Sequence, residues 1–121
     1  MTKEEVRVVL VDDDADMRDT LTQLLEHDGY TVRSAPNAAE ARKAVAEHDP
    51  LCVLIDLGLP DVDGCELARE LRISHGADLV LIAITGWSRQ ADRERAEEAG
   101  VDFVLQKPVS ADGLRRFLPP L

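Results

Sequence analysis

Chemistry-bearing residues stand at the ends of four apolar runs in this sequence. Val6–Val11 leads into Asp12-Asp13-Asp14, and Leu51–Ile55 leads into Asp56. Leu79–Ile84 is followed by Thr85, and Phe103–Leu105 is followed, one residue on, by Lys107-Pro108. If these runs are strands of one parallel sheet, their ends share a rim, where open parallel sheets bind ligands. That rim gathers carboxylates, one hydroxyl and one ammonium. Two carboxylates about 4 Å apart repel by about 4 kcal/mol at an effective dielectric near 20. Lys107 offsets part of this, and a divalent cation on oxygen ligands would offset more. Mg²⁺ suits a shallow rim, because it takes few carboxylates and keeps several waters. With that ion, an ammonium and a hydroxyl around one carboxylate, the equatorial oxygens of a transferring phosphoryl group each have a partner. Asp56, central and on the most apolar run, is the candidate acceptor.

Singly, each residue has a plainer reading. Asp14 or Asp16 suits the N-cap of the helix that follows, and Thr85 suits an ordinary turn. Lys107 alone is a solvated lysine, and Asp56 alone is a turn former before Gly58 and Pro60. The chemistry is carried by their recurrence at successive strand ends.

Helices must separate those strands. Met17, Leu21, Leu24 and Leu25 step along one helical face. Ala38, Ala41, Ala44 and Val45 mark a second helix, Leu67, Ala68 and Leu71 a third, and Leu114, Phe117 and Leu118 a fifth. The fourth, around Arg89–Ala99, offers only Ala91, Ala96 and Ala99 as an inner face, so it is expected to pack most loosely. Its Arg93–Glu98 run reads as a solvated face. Tyr30–Ala35 alternates polar and apolar residues and so reads as an edge strand, whereas the continuous apolar runs read as buried strands. Gly29 and Gly100 suit helix ends, Asn37 suits an N-cap, and Asp49-Pro50 closes the second helix. Five β-α repeats with short loops predict an α/β fold, a doubly wound parallel sheet with helices on both faces.

The chain of 121 residues is sized for one domain, residues 1–121, with Pro119-Pro120-Leu121 as a tail. Its 14 basic against 24 acidic residues leave a net charge of −10, which disfavours direct contact with nucleic acid or an anionic membrane. No apolar run nears the roughly 18–20 residues of a membrane span, and no signal-peptide core opens the sequence. Cys52 and Cys65 are too few for a disulfide framework, and Cys52, inside an apolar run, reads as a reduced, buried thiol, so a cytoplasmic location is expected. His27, His48 and His75 lack ligand spacing, and no glycine-rich phosphate loop follows the first run.

The segments Val-Leu-Val-Asp12-Asp13-Asp14, Leu-Ile-Asp56-Leu-Gly58-Leu-Pro60-Asp-Val-Asp-Gly64, Ala-Ile-Thr85-Gly86 and Gln-Lys107-Pro108 together resemble the receiver domain of two-component response regulators. The resemblance runs over essentially the whole chain. It implies the flavodoxin-like strand order 2-1-3-4-5. It implies that Asp56 accepts a phosphoryl group from a phosphohistidine on a sensor histidine kinase or a histidine phosphotransfer protein. Asp12, Asp13, Asp56 and the backbone carbonyl of Gly58 would hold Mg²⁺. Thr85, Gly86 and Lys107 would form the phosphoryl-binding switch, and the peptide before Pro108 would be cis. The surface of the fourth helix, fifth strand and fifth helix would carry the signal outward. Such a domain assists its own phosphoryl transfer and dephosphorylation without being a turnover enzyme.

Two features depart from the commonest receiver pattern. Where many receivers place an aromatic three residues before the lysine, this chain has Val104, with Phe103 beside it, so no aromatic rotation is expected. Trp87, two residues after Thr85, is expected to shape either access to the site or a partner surface. With Gly86, Val104 and the Lys-Pro-Val ending, the chain is more similar to receivers of hybrid sensor kinases than to those of DNA-binding regulators, which implies a neighbouring domain in a longer protein. Two other readings exist. A haloacid-dehalogenase-type phosphatase would use Asp12 as nucleophile, but Asp16 stands where that pattern expects threonine or valine. A degenerate docking receiver would lack the acceptor, the acid pair or the lysine, and all are present.

Overall fold

The computed structural model describes residues 5–86 and 90–121. The expectations for Trp87 and for a helix start at Arg89 lie outside them. Five strands alternate with five helices: β1 (Arg7–Val11), α1 (Ala15–Asp28), β2 (Thr31–Ala35), α2 (Ala38–His48), β3 (Cys52–Asp56), α3 (Gly64–His75), β4 (Val80–Thr85), α4 (Gln90–Glu98), β5 (Phe103–Gln106) and α5 (Ala111–Phe117). The strands form one parallel sheet in the order β2-β1-β3-β4-β5. This is the order implied by the resemblance, with Thr31–Ala35 on the edge.

Register creates the rim. Val11 pairs with Ile55, so Asp12 follows beside Asp56. Asp56 pairs with Ile84, which sets Thr85 one step further, and Thr85 pairs with Gln106, which brings up Lys107.

Alternation along the strands fills two apolar layers. Val9, Val11, Val53, Ile55, Leu81 and Ala83 face α2, α3 and α4. Val8, Leu10, Cys52, Leu54, Ile82 and Ile84 face α1 and α5. Burying each large aliphatic side chain contributes about 1.5–3 kcal/mol, so the central strands are held rigidly from both sides. The rim inherits that rigidity.

Local capping starts the helices. Asp14, not Asp16, caps α1 by accepting from the Asp16 and Met17 amides. Asn37 caps α2 through the Glu40 amide, and Ser110 caps α5 through Gly113. Gly29 and Gly100 end their helices at φ 110° and 95°, a region that glycine enters at little cost.

The fourth helix differs from its sequence reading. Ala91 is exposed, and α4 sends only Ala96 into the core, with Ala99 just beyond it. The reason is angular: five residues turn about 140° around a helix, so Ala91 and Ala96 cannot share a face. The run from Arg93 to Glu98 is a solvated face, exposed at every residue but Ala96, and from it Arg95 pairs with Asp63.

Candidate functional site

Asp56, the last residue of β3, is buried to 6% exposure at the centre of the rim. Its Oδ1 accepts the Gly58 amide at 2.9 Å, and its Oδ2 accepts from Lys107 Nζ at 3.0 Å. Asp12 follows β1 and is fully buried. Its Oδ1 accepts the Asp14 amide at 2.9 Å, while Arg18 donates to its carbonyl at 2.8 Å. Its Oδ2 is buried with no hydrogen-bond partner among the described residues, 3.6 Å from Lys107 Nζ. Asp13 is exposed beside them. Thr85 is buried at the end of β4 and Gly86 follows it, exposed. The Lys107 amide donates to the Thr85 carbonyl at 2.8 Å, which ties the hydroxyl-bearing and ammonium-bearing loops together. The Lys107–Pro108 peptide is cis. Val104, half-buried on β5, packs against the core layer beneath α4, while Phe103 stacks on Phe117 with ring centroids 4.6 Å apart.

The electrostatics follow from this crowding. Burial pushes the Asp12 carboxyl above its usual range, the Asp14 amide opposes that, and the Asp56 charge reinforces it against Lys107. Desolvation alone would depress the Lys107 ammonium. The hydrogen bond and charge of Asp56, with the charge of Asp12, outweigh it and hold Lys107 above the usual lysine range. One cation thus serves two buried carboxylates. Burial also pushes the Cys52 thiol up to about 12, far from the rim and chemically inert.

The donor set fits a small hard cation. Oxygens of Asp12, Asp13 and Asp56 lie within 4.8 Å of one another, and the buried Asp12 Oδ2 accepts no hydrogen bond among the described residues, sharing only the Lys107 charge at 3.6 Å. Oxygen-only ligands with one open side match Mg²⁺ better than a softer metal.

A cavity of about 390 Å³ opens from Asp56 and Lys107 past Gly58 and Thr85 to Asp63 and Arg95. Gly64 permits this tight approach of α3. A Cβ there would come within 2.7 Å of Leu57 Cα and 2.8 Å of the Asp56 carbonyl oxygen.

Three supporting contacts escaped the sequence reading. Asp63 caps α3 through the Cys65 amide and also accepts from Arg95. Asp61 accepts the Ala38 and Ala39 amides, tying the loop after Asp56 to the start of α2. Arg72 donates to the Gly100, Gly76 and Leu79 carbonyls and to Asp102. The only early signal was Asp63 before Gly64, a ready N-cap.

Sheet order, register and rim together define a flavodoxin-like α/β domain with a carboxylate site at the carboxyl ends of its strands. The response regulator receiver domain family matches residues 8–118, and the chain belongs to that family. It is a family of two-component signalling domains that work with histidine kinases or phosphotransfer proteins. An uncharacterized 14.6 kDa protein of Leptolyngbya boryana is 38% identical over 109 residues, 89% of this chain and 83% of that one. The response regulator MprA of Mycobacterium sp. (strain KMS) is 36% identical over 109 residues, 90% of this chain but 47% of MprA, so the chain spans about half that regulator's length. Among solved structures, a receiver domain protein of Methanospirillum hungatei JF-1 superposes with a TM-score of 0.88 at 29% identity, covering 93% of this chain and 90% of that one. A Burkholderia pseudomallei response regulator solved with a phosphorylated aspartic acid, a calcium ion and citrate gives 0.88 at 28% identity, covering 96% and 67%. Among the described residues, no helix is long and apolar enough to cross a membrane.

Proposed function

We propose that this domain accepts a phosphoryl group on Asp56, from a phosphohistidine of a histidine kinase or phosphotransfer protein in the cytoplasm. The observation that carries the reading is Lys107, 3.0 Å from Asp56 and 3.6 Å from the unpartnered oxygen of Asp12. An acceptor must be nucleophilic, reachable and surrounded by groups that take up phosphoryl charge. Asp56 lines the cavity whereas Asp12 is sealed beneath it, which favours Asp56 over Asp12 as acceptor and argues against the phosphatase reading. The phosphorylated aspartic acid in the Burkholderia relative supports the same chemistry.

In the transfer, an Asp56 carboxylate oxygen forms a bond to phosphorus as the phosphorus–nitrogen bond to the donor imidazole breaks. The imidazole nitrogen leaves with the electron pair and is protonated from water. Lys107 moves with the charge, from carboxylate towards phosphoryl oxygens, and Thr85 and the Gly86 amide lie on the same wall. Asp12, Asp13, Asp56 and the Gly58 carbonyl would hold Mg²⁺, which supplies charge neutralisation at the phosphoryl oxygens. The surface formed by α4, β5 and α5 would then pass the change to a partner, without an aromatic rotation at Val104.

The test is phosphotransfer from a panel of phosphohistidine-bearing kinases and phosphotransfer proteins, followed on Phos-tag gels. At least one donor should transfer to the wild-type chain with Mg²⁺, and Asp13→Ala should slow transfer by about 100-fold or more, the scale of losing a transition-state electrostatic partner. Transfer at the wild-type rate by Asp13→Ala, or with Mg²⁺ chelated, would contradict the metal assignment.

A further inference from the structure

α4 is held in an unusual way. Its apolar anchor is small, Ala96 with Ala99 behind it, and Ala91 is exposed. What ties it down is polar. At its C-terminal end the Gly100 carbonyl accepts from Arg72 at 2.7 and 3.0 Å. At its middle, Arg95 pairs with Asp63, the N-cap of α3 in the loop that follows Asp56.

The Arg95–Asp63 pair also occupies a partition. Both residues line the 390 Å³ cavity that begins at Asp56 and Lys107, and both line a second cavity of about 230 Å³ with Glu66, Arg69 and Glu98. Cys65 borders the two cavities as well, buried to 5% exposure. The pair therefore stands between the phosphoryl cleft and a groove along α3 and α4.

We propose that the Arg95–Asp63 ion pair is a latch that holds α4 closed against α3, and that a phosphoryl group on Asp56 releases it. The proposal rests on the assignment of Asp56 as acceptor. Phosphorylation replaces a carboxylate's single charge by a group of about −1.5 to −2 with three strong acceptor oxygens. That charge enters a cavity which Arg95 already lines, and phosphoryl oxygens compete well for a guanidinium. Asp63 loses its partner, and α4, lacking an apolar face to hold it, shifts away from α3. A polar latch suits this task better than packing, because charge can undo it.

The test uses Cys65 as a native reporter, with fully buried Cys52 as the internal control. Alkylation of each thiol by iodoacetamide on the folded chain is quenched at intervals and followed by peptide mass mapping, which separates Cys65 from Cys52. Opening should expose Cys65 and raise its rate in Arg95→Gln by about two- to fivefold, the range an exposed ion pair sustains. Electrostatics alone predict the reverse. Burial and then the Asp63 charge push the Cys65 thiol up, while Arg95 pulls it down, so losing Arg95 would slow a thiolate reaction. Raising salt should bring the wild-type rate up to that of Arg95→Gln, which itself stays flat. Arg95→Lys should fall between the two.

Phosphorylation by acetyl phosphate and Mg²⁺ should raise the wild-type Cys65 rate by the same factor and leave Arg95→Gln unchanged. Equal Cys65 rates in wild type and Arg95→Gln at every salt concentration would overturn the latch. A latch that opens with salt but not on the phosphorylated chain would overturn its coupling to Asp56. Failure of the acceptor reading would show separately, as no mass increase on Asp56.

Discussion

At the scale of single residues, the site is a problem of unbalanced charge. Asp12 is sealed, its Oδ2 unpartnered, and Lys107 is shared with Asp56. A carboxylate whose folded pKa is raised costs stability above that pKa, and the cost disappears below its unfolded value near 3.9. Asp12→Asn, which keeps the Oδ1 acceptor for the Asp14 amide, should therefore stabilise the metal-free protein at pH 7 by about 1 kcal/mol. The gain should shrink as pH falls through the raised Asp12 pKa and vanish near pH 4. Mg²⁺ should raise the Tm of the wild type by mass action and leave that of Asp12→Asn nearly unmoved. Urea denaturation across pH, with and without Mg²⁺, checks both. A variant less stable than the wild type at pH 7 without metal would mean that the cluster is a structural network.

At the scale of elements, long-range polar contacts fasten the helices on the α2–α4 side of the sheet. Arg72, with 19% of its side chain exposed, joins the end of α3 to the starts of β4 and β5 through three carbonyls and Asp102. Removing it strands the part-buried Leu79 and Gly100 carbonyls, so Arg72→Ala should cost about 1–3 kcal/mol in urea denaturation. Arg72→Lys should recover only part, because an ammonium cannot span the same fork. A loss below about 0.5 kcal/mol, the range of an ordinary surface change, would show the network to be solvated. These contacts explain where sequence reading stopped. Asp12, Asp56, Thr85 and Lys107 were legible because each follows an apolar strand directly. Arg72 reaches Gly100 across 28 residues, Arg95 reaches Asp63 across 32, and Asp61 reaches Ala38 across 23. No local period marks such partners. The misassigned Ala91 has a different origin, since it lies about 140° around the helix from Ala96, a local geometry already present in the sequence.

At the scale of the whole molecule, the three central strands, buried from both sides, hold the rim rigidly, while α4 rests on Ala96, Ala99 just beyond it and polar tethers. That contrast sets a well-packed site beside a wall with few apolar contacts, the kind of region where local stability is lowest. Everything depends on Asp56 being the residue modified. The most direct measurement is intact mass and peptide mapping after exposure to acetyl phosphate and Mg²⁺, for the wild-type chain and for Asp56→Asn. The account predicts one phosphoryl group on the wild type, its site marked by borohydride, which releases phosphate and reduces the modified Asp56 to homoserine, and none on Asp56→Asn. Full labelling of Asp56→Asn in the presence of Mg²⁺, or a label mapped to Asp12, would contradict it.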